Sequence, residues 1–271
     1  MRDVMAWISK SGAACAAAFQ FLTRSPVPVR LEYTDALFRR SVVFYPLAGL
    51  VLGPLLSLAG TPLHMGLPAP PSAALLLAVW VGLTGALHLD GLMDTADGVL
   101  SHRSRERMLE IMKDSRVGAM GVIACALVLL LKWSLLAELL GSRVWGKASW
   151  LLPLVPLWSR WYMVVAIACW PYARAGSSGG IGGYFRGVGR KHMLAHTVLA
   201  LLLTLGLLLL SGLAPEDSFA PLFIVLVTVI CGVSGSLYLS RKLGGLTGDT
   251  YGALNELLET VLLLLLVLWV C

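Results

Sequence analysis

The sequence predicts an all-α fold: a polytopic integral membrane bundle of about seven transmembrane helices (six to eight), with an N-terminal helix that is interfacial or re-entrant. Three observations predict it. Of the 271 residues, 58% are hydrophobic and 13% are charged, against about 45–50% and 25% in soluble domains. The apolar residues gather in segments of about 20, the length a helix needs to cross the hydrocarbon. The basic residues alternate from loop to loop. Fifteen occupy one set of loops: Arg24, Arg30, Arg39 and Arg40; Arg103, Arg105, Arg107, Lys113 and Arg116; Arg174, Arg186, Arg190 and Lys191; Arg241 and Lys242. The intervening loops hold two, Arg143 and Lys147. The positive-inside rule places the richer set in the cytoplasm and the C-terminus outside. No polar stretch is long enough for a second domain, so residues 1–271 read as a single membrane-embedded unit.

Met1 to Leu22 is moderately apolar but interrupted by Ser9, Lys10 and Ser11. Without a small-residue cleavage site it reads as an interfacial helix and not a signal peptide. Phe21 to Arg40 is a Pro- and Arg-containing loop. Ser41 to Gly60 is the first span, Thr61 to Pro71 an uncharged turn, and Ser72 to Asp97 the second span. Gly98 to Arg116 is a basic loop, part helical. Gly118 to Leu140, Ala148 to Trp170, His192 to Gly212, Pro221 to Ser240 and Tyr251 to Cys271 complete the spans. The Gly-rich loop Pro171 to Lys191 follows no strand and is no nucleotide fingerprint. The five cysteines are scattered through apolar runs and read as small buried hydrophobes.

The polar chemistry gathers at one membrane side. Asp90, Asp94 and Asp97 fall at i, i+4 and i+7, within roughly 60° on one helical face. Like charges at a membrane boundary repel and resist desolvation, and a hard cation such as Mg²⁺, or Mn²⁺, relieves both costs. Asp249, Glu256 and Glu259 begin the last span, with Asp249 and Glu256 again on one face. They read either as a second metal or base cluster or, for Asp249, as a helix start. Arg160 inside a span requires an anionic partner, Lys132 and Glu138 are expected to snorkel towards span ends, and His88 is expected to point away from Asp90.

These residues lie within longer motifs. HLDGLMDTADGVLSHRSRERMLEIMKDSRVG resembles the signature of the cobalamin synthase family, the adenosylcobinamide-GDP ribazoletransferases. FLTRSPVP, FYPLAGLVLG and GGLTGDTYGALNELLE agree with the family in the same order along the chain. The resemblance implies a membrane enzyme of late cobalamin assembly in the bacterial cytoplasmic (inner) membrane, with its active site on the cytoplasmic side. It would join α-ribazole, or its 5′-phosphate, to adenosylcobinamide-GDP and release GMP, with Mg²⁺ as cofactor. The Gly-rich loop after Tyr172 is longer and less acidic than the family pattern leads one to expect.

The family's acidic motif falls on Asp90, Asp94 and Asp97, its D-S-R element on Asp114, Ser115 and Arg116, and its T-R-x-P element on Thr23, Arg24 and Pro26. Its T-G-D element and following Glu fall on Thr247, Gly248, Asp249 and Glu256. The roles implied are metal binding for Asp90, Asp94 and Asp97; catalysis for Asp97, Asp249 and Glu256, with Asp97 or Asp249 as base; and substrate binding for Arg24, His88, Arg103, Lys113, Asp114, Arg116 and Thr247. The expected partners are the two substrates, membrane lipid, other enzymes of the pathway and a second copy of the chain, with no nucleic acid. Two alternatives use the same residues. A CDP-alcohol phosphotransferase would share the metal face, although MDTAD lacks the Arg that follows in that motif. An ion-coupled transporter would carry charges nearer the midplane and paired broken helices.

Overall fold

A computed structural model describes residues 2–174, 181–185, 187–212 and 219–271, with side chains from residue 10 onward except those of 181 and 182. Twelve α-helices run in chain order through these residues. They are α1 (Arg2–Leu22), α2 (Asp35–Ser41), α3 (Tyr45–Gly66), α4 (Ala69–Thr84), α5 (Leu87–Val99), α6 (Arg105–Ile111), α7 (Ala119–Gly141), α8 (Trp145–Leu151), α9 (Leu154–Cys169), α10 (Arg190–Ser211), α11 (Ala220–Leu243) and α12 (Gly248–Val270). Six segments are long and apolar enough to cross a membrane: Asp35–Gly66, Ala119–Gly141, Trp145–Cys169, Arg190–Ser211, Ala220–Leu243 and Gly248–Val270. The pair α4 and α5 makes a seventh if taken as one broken span. The protein is thus an integral membrane helical bundle.

Hydropathy alone does not distinguish inner from outer helices, but burial does. The helices α9 and α12 are largely buried, whereas α10 and α11 turn leucines such as Leu201, Leu205, Leu222 and Leu226 outward, as a lipid-facing surface requires. One apolar cluster joins Leu136, Leu139, Trp158, Leu262 and Leu263. A second joins Leu22, Tyr45, Tyr162, Leu243 and Tyr251. The helix α1 is not among the spanning segments; it buries Ala14, Ala17, Ala18 and Leu22.

The second span, expected over Ser72 to Asp97, is broken in the structure. It turns through 90° between α4 and α5. Gly85 (φ 63°) and Ala86 (φ 57°) are both left-handed. Their N–H groups donate to Gly82 O at 3.2 Å and Val81 O at 3.2 Å, a Schellman ending that closes α4. Gly suits position 85: an added Cβ would overlap the Arg24 side chain, and the Arg24 backbone N–H donates to Leu83 O at 2.7 Å. Ala86 in this region costs about 1–2 kcal/mol, so packing enforces the turn. Its result is that α5 lies against α12. A Cβ on Gly91 would stand 2.7 Å from Asp249 O, and one on Gly252 would stand 3.2 Å from His88 Cα.

Candidate active site

The close approach of α5 and α12 brings Asp90 and Asp94 to Asp249. Asp249, Asp90 and Asp97 are the carboxylates that act most on Asp94. The carboxylates of Asp90 and Asp94 have no hydrogen-bond or ion-pair partner among the described residues. Asp249 is placed by Thr247, the α12 N-cap. The Thr247 hydroxyl accepts from Thr250 N–H at 3.3 Å and reaches Asp249 Oδ2 at 3.3 Å. A backbone bridge, Ala173 N–H to Leu246 O and Leu246 N–H to Pro171 O, both 2.8 Å, ties the segment after α9 to the start of α12. The bridge delivers Arg174, whose Nη2 lies 3.1 Å from Asp249 Oδ2 and 3.5 Å from Met112 O.

A cavity of about 280 Å³ opens beside this cluster. Its lining includes the polar residues His88, Asp90, Arg174 and Asp249 and the apolar or aromatic residues Phe21, Tyr45, Met163 and Phe185, and the rings of Phe21, Tyr45 and Phe185 gather against one another. Pockets that orient small molecules have this mixture: apolar contact for affinity and few polar groups for position. His88, one of the substrate-binding candidates from the sequence, lines this cavity and is buried. Arg174, Tyr45 and Phe185 were not singled out from the sequence. The first depends on the bridge between 171–173 and 246, and the rings carry no local motif.

The other candidates distribute differently. Asp97 turns to α7, accepting from Gly118 N–H at 2.7 Å on Oδ2 and from Gly121 N–H at 2.7 Å on Oδ1. Asp114 accepts from the Arg116 backbone N–H (3.0 Å) and guanidinium (Nη2 at 2.6 Å), which holds its carboxyl down at about 2. Arg24, Arg103, Lys113 and Arg116 are exposed. Thr247 is buried in its cap. Glu256 does not join Asp249. It lies deeper on α12, with Lys132 Nζ at 2.6 Å.

Lys132 also does not snorkel. It is buried between Glu256 and Glu259, with Nζ 2.7 Å from Glu259 Oε2 and 4.9 Å from the Trp80 ring centroid. Arg160 finds its anionic partner in Glu259, at 2.5 Å. Two cations and two carboxylates therefore cancel inside the bundle, linking α7, α9 and α12. Each charge faces an opposite one, since an isolated charge there would be far more costly.

Among the described residues, no group of three or more His, Cys, Asp or Glu side chains converges to hold a metal by itself. The donor set nonetheless fits a hard cation shared with a phosphate ligand. Asp90 and Asp94 offer carboxylate oxygens that no other described residue uses, and Mg²⁺ is commonly held by one or two carboxylates, with substrate phosphate and water completing its shell.

Fold and site together define a polytopic membrane protein with an acidic cleft at one end of its bundle, next to a half-aromatic cavity and basic loops. A family model described as cobalamin-5-phosphate synthase matches residues 14–267. The adenosylcobinamide-GDP ribazoletransferase of Desulfitobacterium hafniense (strain Y51) is 45% identical over 250 residues, 91% of this chain and 93% of its own. Those of Desulforamulus reducens (42% over 253 residues; 93% and 94%) and Pseudomonas aeruginosa PAO1 (44% over 252 residues; 93% and 96%) are similar. The chain belongs to the cobalamin-5-phosphate synthase family, a family of transferases. No solved structure matches it.

Proposed function

We propose that the protein transfers α-ribazole, or α-ribazole 5′-phosphate, onto adenosylcobinamide-GDP, giving adenosylcobalamin or its 5′-phosphate and GMP. The observation that carries this reading is the mixed lining of the cavity. Its aromatic residues suit the flat base of α-ribazole, and its polar residues suit a pyrophosphate. A ribose hydroxyl attacks the phosphoryl group attached to the cobinamide; the phosphoanhydride bond breaks, a phosphodiester forms and GMP leaves. Asp90 and Asp94 would hold Mg²⁺, which supplies charge neutralisation at the pyrophosphate and at the departing phosphate. Asp249 keeps its Oδ1 free of partners among the described residues and takes the hydroxyl proton. Arg174 orients Asp249 and, with the exposed Arg24 and Lys113, meets phosphate oxygens. Asp97 docks α7 and keeps the acidic helix in place.

The excess of basic residues in one set of loops supports a cleft on the cytoplasmic side of the bacterial inner membrane, where both substrates are soluble. The self-neutralised Lys132–Glu256–Glu259–Arg160 cluster suits a fixed scaffold better than a charge that must move through a transporter. The test is turnover by the purified protein in lipid vesicles. Magnesium-dependent GMP release from adenosylcobinamide-GDP and α-ribazole, with a cobalamin product and loss on chelation, is the expected result. Release of CMP from a CDP-alcohol, with none of GMP, would assign the site to a lipid phosphotransferase instead.

A further inference from the structure

A second depression, of about 320 Å³, opens between α1, the loop that follows it and α2. It shares no lining residue with the cavity beside Asp249. Its charged lining is Lys10, Arg30 and Arg40 with one carboxylate, Glu32, and Leu31 and Leu37 add apolar surface. Lys10 comes from the packed face of α1: Lys10, Ala14 and Ala17 fall at i, i+4 and i+7, and both alanines are buried. The segment carrying Arg30 is held by Gln20 of α1. Gln20 Nε2 donates to Val27 O at 3.0 Å and to Val29 O at 2.7 Å, and its Oε1 accepts from the Tyr33 hydroxyl. Arg40 is carried by α2, which starts at the Thr34 cap (Leu37 N–H to Oγ1, 3.2 Å) and is anchored by the buried Phe38 ring against Phe21. Three tied segments thus bring three cations to one opening.

Lys10, Arg30 and Arg40 make no side-chain ion pair or hydrogen bond among the described residues. Cations held together repel, and one carboxylate leaves them in excess, so an anion entering the opening is stabilised. Phosphate oxygens suit two guanidinium forks and an ammonium. The apolar part of the site favours a lipid over a free phosphate. Leu31 and Leu37 lie beside the cations, and Val29 and Tyr33 of the same loop are each 48% exposed. Arg30 and Arg40 also belong to the loops that the positive-inside rule makes cytoplasmic, and the cytoplasmic leaflet carries anionic lipid. We infer that Lys10, Arg30 and Arg40 bind the phosphate headgroup of an anionic phospholipid, seating α1 and residues 23–34 at the membrane surface. The site goes beyond the reaction proposed above and uses none of its residues. Along α1, Lys10 stands eleven residues, about 16 Å of helix rise, from Phe21 of the cavity.

The experiment is native mass spectrometry of the full-length protein in neutral detergent, titrated with phosphatidylglycerol, phosphatidylcholine or inorganic phosphate. One phosphatidylglycerol should bind about 100-fold more tightly than phosphatidylcholine, which is about fivefold for each of three charges. Lys10→Gln, Arg30→Gln and Arg40→Gln should each weaken it about fivefold, and together they should abolish the preference. A control carrying Arg107→Gln, Arg241→Gln and Lys242→Gln, which removes as much charge from other loops, should keep it. All six positions are exposed. Equal binding of the two lipids by wild type, or an equal loss in the control, would overturn the inference. Inorganic phosphate bound where phosphatidylglycerol is not would assign the opening to a free phosphate and overturn the lipid site. The wild-type comparison needs no variant to fold and no turnover, so its outcome is separate from that of the GMP-release test.

Discussion

Asp97 stands apart from the two carboxylates that share its helical face. Both its oxygens are taken by the first turn of α7, where a carboxylate meets unpaired N–H groups and the positive end of the helix dipole. An amide at that position accepts one of these bonds and opposes the other. Asp97→Asn should therefore lower stability by about 1 kcal/mol, read as a lower melting temperature in detergent, while keeping more GMP-release activity than Asp94→Asn. Equal melting temperatures for Asp97→Asn and wild type would show that the cap carries no weight. The i, i+4, i+7 spacing made all three aspartates legible as a face, because periodicity is local. It did not separate their tasks, since those depend on where α7 and α12 lie. Arg174 was invisible as a site residue for the same reason. Its approach to Asp249 requires a bridge between segments more than seventy residues apart.

The spanning helices were readable from hydropathy, since each is an apolar run of nearly the right length. The bend between α4 and α5 was not, because alanine at 86 gives no sign that its backbone is left-handed. The partners of Lys132 and Arg160 were also missed. The clue is that Lys132 and Arg160 match in number the two glutamates of α12, Glu138 of α7 being exposed. Their coupling predicts a particular pattern of loss. Lys132→Met leaves two buried carboxylates with one cation and should cost about 3–5 kcal/mol. Removing Glu256 as well, in Lys132→Met with Glu256→Leu, leaves the neutral Arg160–Glu259 pair and should recover most of that loss. Thermal or chaotrope unfolding of the single and double variants in detergent gives the comparison. Additive losses would mean that Lys132 and Glu256 do not act as a unit.

The chain as a whole arranges its polarity by membrane side. Its basic loops, the acidic faces of α5 and α12 and the cavity all lie towards one end, while α10 and α11 turn leucines outward along their length. The orientation follows from loop charge and is open to direct measurement. A cysteine introduced at Ser104, in the loop before α6, should react with an impermeant thiol reagent in inside-out vesicles. It should stay unreacted in sealed right-side-out ones, against a background variant with Cys169 and Cys271 replaced. Labelling in the opposite vesicles would reverse the topology and move the site to the outer face.

A reacting cleft formed by Asp90, Asp94 and Asp249, with a metal ion held by the first two, has a direct kinetic signature in the rate of GMP release from adenosylcobinamide-GDP and α-ribazole across a Mg²⁺ titration, for wild type and Asp94→Asn in the same lipid. Wild type should show a saturable Mg²⁺ dependence and the variant a loss of about 100-fold or more. An Asp94→Asn protein with the wild-type rate and the wild-type Mg²⁺ dependence would remove the metal from this cleft.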